Sequence, residues 1–420
     1  MSSVLPDDII VNIFSRLPVK SILRFRCVCK PWCKLFKSPN FVKMHLNHGV
    51  EKEKFSLILI DNEVLMYSMD YYDSSLTSST YYEAVEIDYP FKSLGNEVHI
   101  RGACNGLLCI EPRRVKGELI CIWNPSTKEY KEIPMPEDEK FPSHLDIDHS
   151  EISYGFGYDC NIEDYKLVRV MNFYGIDNDG EKVFYGCEVK VFTLGSNSWK
   201  HIPSIYPYDI YFDGVLVNGA LHWRATPWIG GSKGADAIVS FDIGHERLTE
   251  VSPLVSLDDK FYKTVGVVGG CLCIFAQSYN VGIEVWVMKD YGVRESWTKL
   301  FTIAQQSILG SRAYKYLSPM QSLKNGEILL KILLRIGEED DLDLDYDLAL
   351  YDPKLARFRT LKICGGEWSD ATLYVESLVS LNTGKTVKGS ESISSHQEIG
   401  IVCKNSVCSK QFLPSNQKLV

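Results

Sequence analysis

Residues able to do chemistry are plentiful in this chain of 420, but few of them fall at the spacings chemistry requires. The densest acidic run, EEDDLDLDYD over Glu338 to Asp347, places carboxylates at Asp341, Asp343, Asp345 and Asp347 and so raises the question of calcium. A calcium loop beginning at Asp341 needs glycine at its sixth position and a bidentate Glu at its twelfth, and those places hold Tyr346 and Asp352. The run therefore reads as a solvated loop between strands whose charge would suit a basic partner. The histidines form neither H-x-H nor H-E-x-x-H, and His222 beside Trp223 reads as a packed, hydrogen-bonded strand residue. Gly155-x-Gly157 lacks the third glycine and the strand-to-helix setting of a dinucleotide loop, and reads as a strand with a bulge. Cys271 and Cys273 alternate along one strand with no basic neighbour to lower a thiol pKa, which makes them core residues. The expectation is no catalytic residue, no metal and no cofactor.

Composition bounds the rest. With 45% hydrophobic and 12% aromatic residues the chain can bury a substantial core in two or three domains. Its 13 cysteines stand singly or at alternate positions, with no C-x-x-C pair and no N-x-S/T sequon, as in reduced proteins of the cytoplasm or nucleus. No apolar run reaches the length of a membrane span, and Asp7 and Asp8 occupy the place of a signal's basic start, so a soluble, unsecreted chain is expected. Residues 1–50 hold eight Lys/Arg against two Asp, a surplus of six, within a total of −9; the remainder therefore carries −15. That split points to an acidic partner for the N-terminal segment and argues against nucleic acid as a ligand of the body.

The elements that must position any site fall into two textures. The first 48 residues read as helical: Pro6 opens a helix to Leu17 with Asp7 and Asp8 in its first turn, and Ile9, Ile10, Ile13, Phe14 and Leu17 form its apolar stripe. A second helix spans about Lys20 to Cys29, a third begins at Pro31, and Ser38-Pro39 starts a fourth short turn through Leu46. So small a segment cannot bury all its large side chains internally, and some of its apolar surface needs a partner. From Lys54 onward short apolar runs alternate with turns, the mark of an all-β domain.

Within that domain a unit recurs: a strand ending in an aromatic, a polar turn, and a second strand. Copies start at Trp123, Phe192, Phe241, Trp286 and Tyr351, with a degenerate first copy at Tyr67. Asn105-Gly106, Asn218-Gly219, Gly269-Gly270 and Asn325-Gly326 precede most copies and predict tight hairpins, because these dipeptides accept the positive φ of type I′ turns. Two hairpins per unit make four strands, and six such units with insertions predict a β-propeller-like fold of six blades, with a β-sandwich as the alternative. After Leu381, residues 382–420 read as a flexible polar tail.

Leu5-Pro6 with Asp8, Leu17-Pro18-Val19-Lys20-Ser21, Arg24 to Lys30, Trp32 and Ser38-Pro39-Phe41, in this order, resemble the F-box of plant F-box proteins. CNGLLCI, WNPSTKEYKEIP, YGFGYDCNIEDYKLVRV, NGALHW and YVESLVSL resemble the kelch-related F-box-associated interaction domain found behind many plant F-boxes, including S-locus and immune-regulating relatives. The resemblance implies an F-box over residues 1–48, a substrate-binding propeller-like domain over 54–381, and a non-catalytic receptor role in a Skp-cullin-F-box (SCF) ubiquitin ligase. The implied partners are the Skp adaptor, through it a cullin-RING ligase, and a protein substrate marked for degradation, with no nucleic acid or membrane. By position, Leu5, Pro6, Ile9, Ile13, Leu17, Pro18, Leu23, Val28 and Trp32 are the implied adaptor-contacting or supporting set, while Phe36 stands where the family commonly has a smaller aliphatic. Substrate contacts are expected from long insertions at Glu137 to Glu151, Asn172 to Phe184, Ser204 to Asp213, Thr226 to Ala235 and Glu338 to Asp347. Their aromatics Tyr174, Tyr206, Tyr208, Tyr211, Phe212 and Trp228 would serve as interface anchors. The rival readings are a kelch-type propeller enzyme and an F-box scaffold that binds its target without degrading it.

Overall fold

A computed structural model describes residues 6–381 apart from 53, 72–81, 96, 113–118, 137–148, 177–181, 204–207, 230–231, 252–261, 279–281, 305–313, 337–342, 365 and 367. It opens with four helices, α1 (Asp7–Phe14), α2 (Val19–Phe25), α3 (Lys30–Phe36) and α4 (Pro39–Glu51). Pro6 and Pro18 stand at the N-caps of α1 and α2 without side-chain caps, whereas Ser38 caps α4 by accepting from the Phe41 N–H at 3.4 Å. α4 is a full 13-residue helix where the sequence suggested one short turn. His45, Asn47, His48 and Gly49 blur its apolar period, yet Phe41, His45 and Leu46 fall on one face and are buried.

Six four-stranded antiparallel sheets follow as the blades of a propeller, one carrying an extra short strand. Blade 2 runs Val98–Cys104, Leu107–Pro112, Ile120–Trp123 and Tyr130–Ile133, inner strand first, and blades 3 to 6 start with His149–Asp159, Tyr208–Val217, Tyr262–Val268 and Tyr314–Ser322. Blade 1 is composite: its inner strand is the last among the described residues, Trp368–Val375, paired with Phe55–Asp61 so that Phe55 faces Val375. The ring is thus closed by joining the two ends of the β domain. Six hydrophobic clusters, each filled from two neighbouring blades, hold it. Only mutual stacking buries both faces of every sheet, which is why the units must repeat.

The recurring sequence unit is the turn between third and fourth strands. In Asn124–Lys128, Thr193–Asn197 and Asp242–Glu246 the last residue's N–H bonds the first residue's carbonyl, and that last residue is left-handed, at φ 64°, 53° and 52°. Asn105-Gly106, Asn218-Gly219 and Gly269-Gly270 take positive φ at both positions, as two-residue hairpins require. At Asn325-Gly326 only the glycine does, and the turn widens over 323–327, closed by Leu323 N–H to Glu327 O at 2.8 Å.

Because strands alternate in direction, these tight turns all lie on one rim of the ring, and the other hairpins and interblade connections leave from the opposite, loop rim. The chain enters and leaves the ring at Phe55 and Val375, both on the turn rim, so the helices sit there. Lys43 on α4 pairs with Glu163 of a blade 3 turn at 3.6 Å, as that placement requires.

Candidate functional site

Two surfaces are candidates: the outer side of the helices and the loop rim. In the helical module Phe14 is the hub, its ring 4.8 Å from Trp32 and 5.0 Å from Phe36, with Val19, Ile22 and Phe41 closing a buried core. Burial with the His45 ring, whose Nε2 lies 2.8 Å from the Leu17 carbonyl, holds that imidazole below its ordinary pKa and so neutral. Of the residues implied to meet an adaptor, Leu17, Leu23 and Trp32 are half-buried and support the core. Pro6, Ile9, Ile13, Pro18 and Val28 are exposed, Ile9 at 44%, Ile13 at 47% and Val28 at 62%, while Leu5 lies outside the described residues. Ile9 and Ile13, four residues apart, form one ridge of α1, roughly a third of a turn around the helix from the buried Phe14. Lys30, Cys33, Lys34, Lys37 and Ser38 line a shallow open cavity of about 550 Å³ on α3. The helices thus expose apolar side chains on α1 and at Val28, and lysines on α3.

The loop rim departs from expectation. Residues 137–148, 177–181, 204–207, 230–231 and 338–342 of the expected insertions lie outside the described residues, and the described parts are largely strand: Asp164–Ile176, Lys182–Thr193, Tyr208–Val217 and Ala220–Ile229 run far toward that rim. Of the acidic stretch, the described part from Asp343 on belongs to the strand Asp343–Asp352. Tyr174 is buried and donates to Asp209 Oδ1 at 2.5 Å, Tyr211 donates to Asp209 Oδ2 at 2.8 Å, and Asn172 donates to Ile210 O at 2.8 Å. Burial and the neighbouring Asp209 push the Tyr174 phenol up, and Tyr211 is pushed up to about 12. Tyr208 is buried with its hydroxyl 3.3 Å from Glu250, and half-buried Trp228 packs on Phe184 at 5.7 Å. Tyr174 and Tyr208 are thus buried in the wall between blades, while Tyr211 and Trp228 stay half-buried. Tyr206 lies outside the described residues, and Phe212 is 53% exposed.

Phe212 stands out because the inner strand of blade 4 bulges between Tyr211 and Val215, putting Phe212 at φ 61°, unusual for a bulky side chain. The same bulge turns Asp213 across the ring. Asp213 accepts from the Tyr154 N–H of blade 3 at 2.8 Å and from Arg101 Nη1 of blade 2 at 3.3 Å, while Arg101 Nε donates to Glu111 at 2.7 Å. Burial pushes the Asp213 carboxyl up to about 6 against the pull of Arg101; Arg101 itself stays charged because Asp213 and Glu111 outweigh its burial. Further out, burial opposes the Asp236 charge, but Arg224 Nη2 at 3.1 Å and Lys263 Nζ at 3.2 Å outweigh it and hold that carboxyl low. No sequence motif signals these groups, since Arg101 and Asp213 lie 112 positions apart. Gly155 and Gly157 sit in regular register with no bulge; a Cβ on Gly155 would lie 2.7 Å from Leu221 and Trp223, and one on Gly157 2.3 Å from Ile243. Among the described residues no three His, Cys, Asp or Glu converge as metal ligands.

Helices with an exposed apolar ridge, fixed to one rim of a six-bladed ring, match two family models: an F-box domain over residues 2–44 and an F-box associated beta propeller domain over 56–381. The chain belongs to the F-box proteins with an F-box-associated β-propeller. It is 30% identical over 403 residues to the Arabidopsis thaliana F-box protein CPR1, covering 90% of this chain and 89% of that protein. It is also 30% identical to the Arabidopsis thaliana F-box protein At4g22390, covering 80% of this chain and 82% of the relative. Among solved structures, TolB from Acinetobacter baumannii superposes with a TM-score of 0.41 at 11% identity, over 80% of this chain and 73% of TolB. F-box proteins serve in general as substrate-recognition adaptors of SCF complexes, binding the Skp adaptor through the F-box, and are typically non-catalytic subunits.

Proposed function

We propose that this F-box protein is the substrate-receptor subunit of an SCF ubiquitin ligase that holds a protein target for ubiquitination and degradation. The observation that carries the reading is the ridge of Ile9 and Ile13, left exposed together with Pro6, Pro18 and Val28 by a helical module whose other large side chains fill its own core. That ridge is the adaptor contact, and Leu5, Leu17, Leu23 and Trp32 complete or support it. The target meets the loop rim, on the opposite side of the ring, with Phe212 as an anchor. The mechanism is proximity: holding a target lysine near a charged ubiquitin-conjugating enzyme raises its effective concentration, so the receptor supplies no nucleophile. The test is capture of the purified full chain on immobilised Skp adaptor, wild type beside an Ile9→Ala/Ile13→Ala variant. Capture of the wild type and loss in the variant support the proposal, and failure of the folded wild type to bind refutes it.

A further inference from the structure

The ordered path does not stop at the last propeller strand. After Val375 the chain crosses the turn rim of blade 2, and its side chains divide between two bodies. Asn124 Nδ2 donates to Ser377 O at 3.2 Å and to Val379 O at 2.8 Å, and Glu129 Oε2 accepts from Ser380 Oγ at 2.7 Å and from Leu381 N–H at 2.9 Å. Val379 and Leu381 pack against the core shared by blades 2 and 3. Leu378 faces the other way: only 1% exposed, it lies in the helical core with Phe14, Val19, Ile22, Phe36 and Phe41.

Two details of the repeat mark this as a built contact. In blades 4 and 6 the first turn residue is Asp242 or Asp352, whose carboxylate accepts from backbone N–H groups inside the turn at 2.8 Å. In blade 2 it is Asn124, fully buried, whose Oδ1 accepts from Ser126 N–H at 2.9 Å while its amide donates to the crossing segment. A carboxylate could fill the first role but not the second. Gly106, at φ 80°, lies so close under the segment that a Cβ there would be 2.3 Å from Ser377 Oγ and 2.5 Å from Val375 O.

On the N-terminal side α4 ends at Glu51 and the first propeller strand begins at Phe55, and across that short link the Lys54 N–H bonds the Gly49 carbonyl at 3.0 Å. We propose that residues 376–381 form a strap that fixes the helical module on the propeller in one orientation, with Leu378 as the plug and Asn124 and Glu129 as the anchors. Closing the ring with Trp368–Val375 and docking the helices are then one structural event. The docking stands on geometry alone; its consequence, that target and adaptor are held at a fixed bearing, rests on the receptor reading.

The experiment compares the full-length wild type with Leu378→Asp and Asn124→Asp, using small-angle scattering, hydrogen exchange of α1–α4, and affinity for purified Skp adaptor. Asn124→Asp keeps the turn acceptor, removes the donor, and is not in the helical core. Expected are an enlarged maximum dimension and helical amide exchange faster by about ten-fold or more in both variants, with propeller exchange unchanged and adaptor affinity within about three-fold of wild type. Wild-type scattering and exchange in both variants would overturn the strap. Should Leu378→Asp unfold the helices, Asn124→Asp decides: a shift supports the strap and no shift overturns it. Should the adaptor bind no form while scattering still responds, the receptor reading falls and the strap stands.

Discussion

His222 offers a quantitative check on the blade packing. Its ring is fully buried on the second strand of blade 4, with Nε2 2.9 Å from the Tyr291 hydroxyl of blade 5. Burial pushes its pKa down to about 4 from an ordinary value of 6.5. The fold therefore favours the neutral ring, and the contribution is fully present above pH 6.5 and is lost as pH falls toward 4. Across the whole interval the linkage amounts to about 3 kcal/mol, of which roughly 1.4 is lost by pH 5.5 and about 2.5 by pH 4.5. Asp213 titrates with the opposite sign below about 6, so the wild-type curve alone conflates the two. The informative quantity is the difference between wild type and His222→Gln, which keeps a hydrogen-bonding side chain but does not titrate. Urea unfolding of both proteins at pH 7.5, 6.5, 5.5 and 4.5, followed by tryptophan fluorescence, should show the wild type losing about 2.5 kcal/mol relative to the variant by pH 4.5. Curves that stay parallel within about 0.5 kcal/mol would refute the buried, neutral assignment.

Other consequences are as direct. Covering the remaining surface of Ile9 and Ile13 is worth about 1.5 kcal/mol each, so Ile9→Ala/Ile13→Ala should weaken adaptor binding by on the order of 100-fold in calorimetry without moving the melting temperature. Gly157→Ala should cost about 1–3 kcal/mol in urea unfolding by overpacking against Ile243 Cδ1, and Ile243→Val, which removes that atom, should recover most of it. Lys166 Nζ lies 2.7 Å from Asp159 and 2.8 Å from Glu246 in a buried setting, so Lys166→Met leaves buried Asp159 without its cation while Lys200 still pairs with Glu246. It should lose about 3–5 kcal/mol by the same assay.

Sequence carried the architecture because each blade is specified locally. Asn-Gly and Gly-Gly pairs dictate their hairpins, and the aromatic-headed turns return at every unit, so six blades could be counted before any contact was known. The helical module was legible for the same reason, through Pro6, Pro18, Pro31 and Ser38-Pro39. Local signals failed where the partner is distant. Asp209 and Tyr174 meet across two blades, Asp213 reaches Arg101 over a third, and Leu378 enters a core made of residues more than 300 positions earlier. Turn-rich neighbours hide the strand period around Tyr174, Tyr208, Tyr211 and Trp228, all of which lie on strands. Gly155 and Gly157 suggest a bulge in sequence, but close approach by a neighbouring blade leaves the same mark, and here it is that approach which requires glycine.

The measurement that bears most directly on the receptor role is the mass of the assembly formed when purified full-length chain is mixed with Skp adaptor and cullin in the absence of any target. The account predicts a complex with one copy of each, and its loss on Ile9→Ala/Ile13→Ala substitution. An adaptor–cullin complex that ignores the folded chain would contradict it.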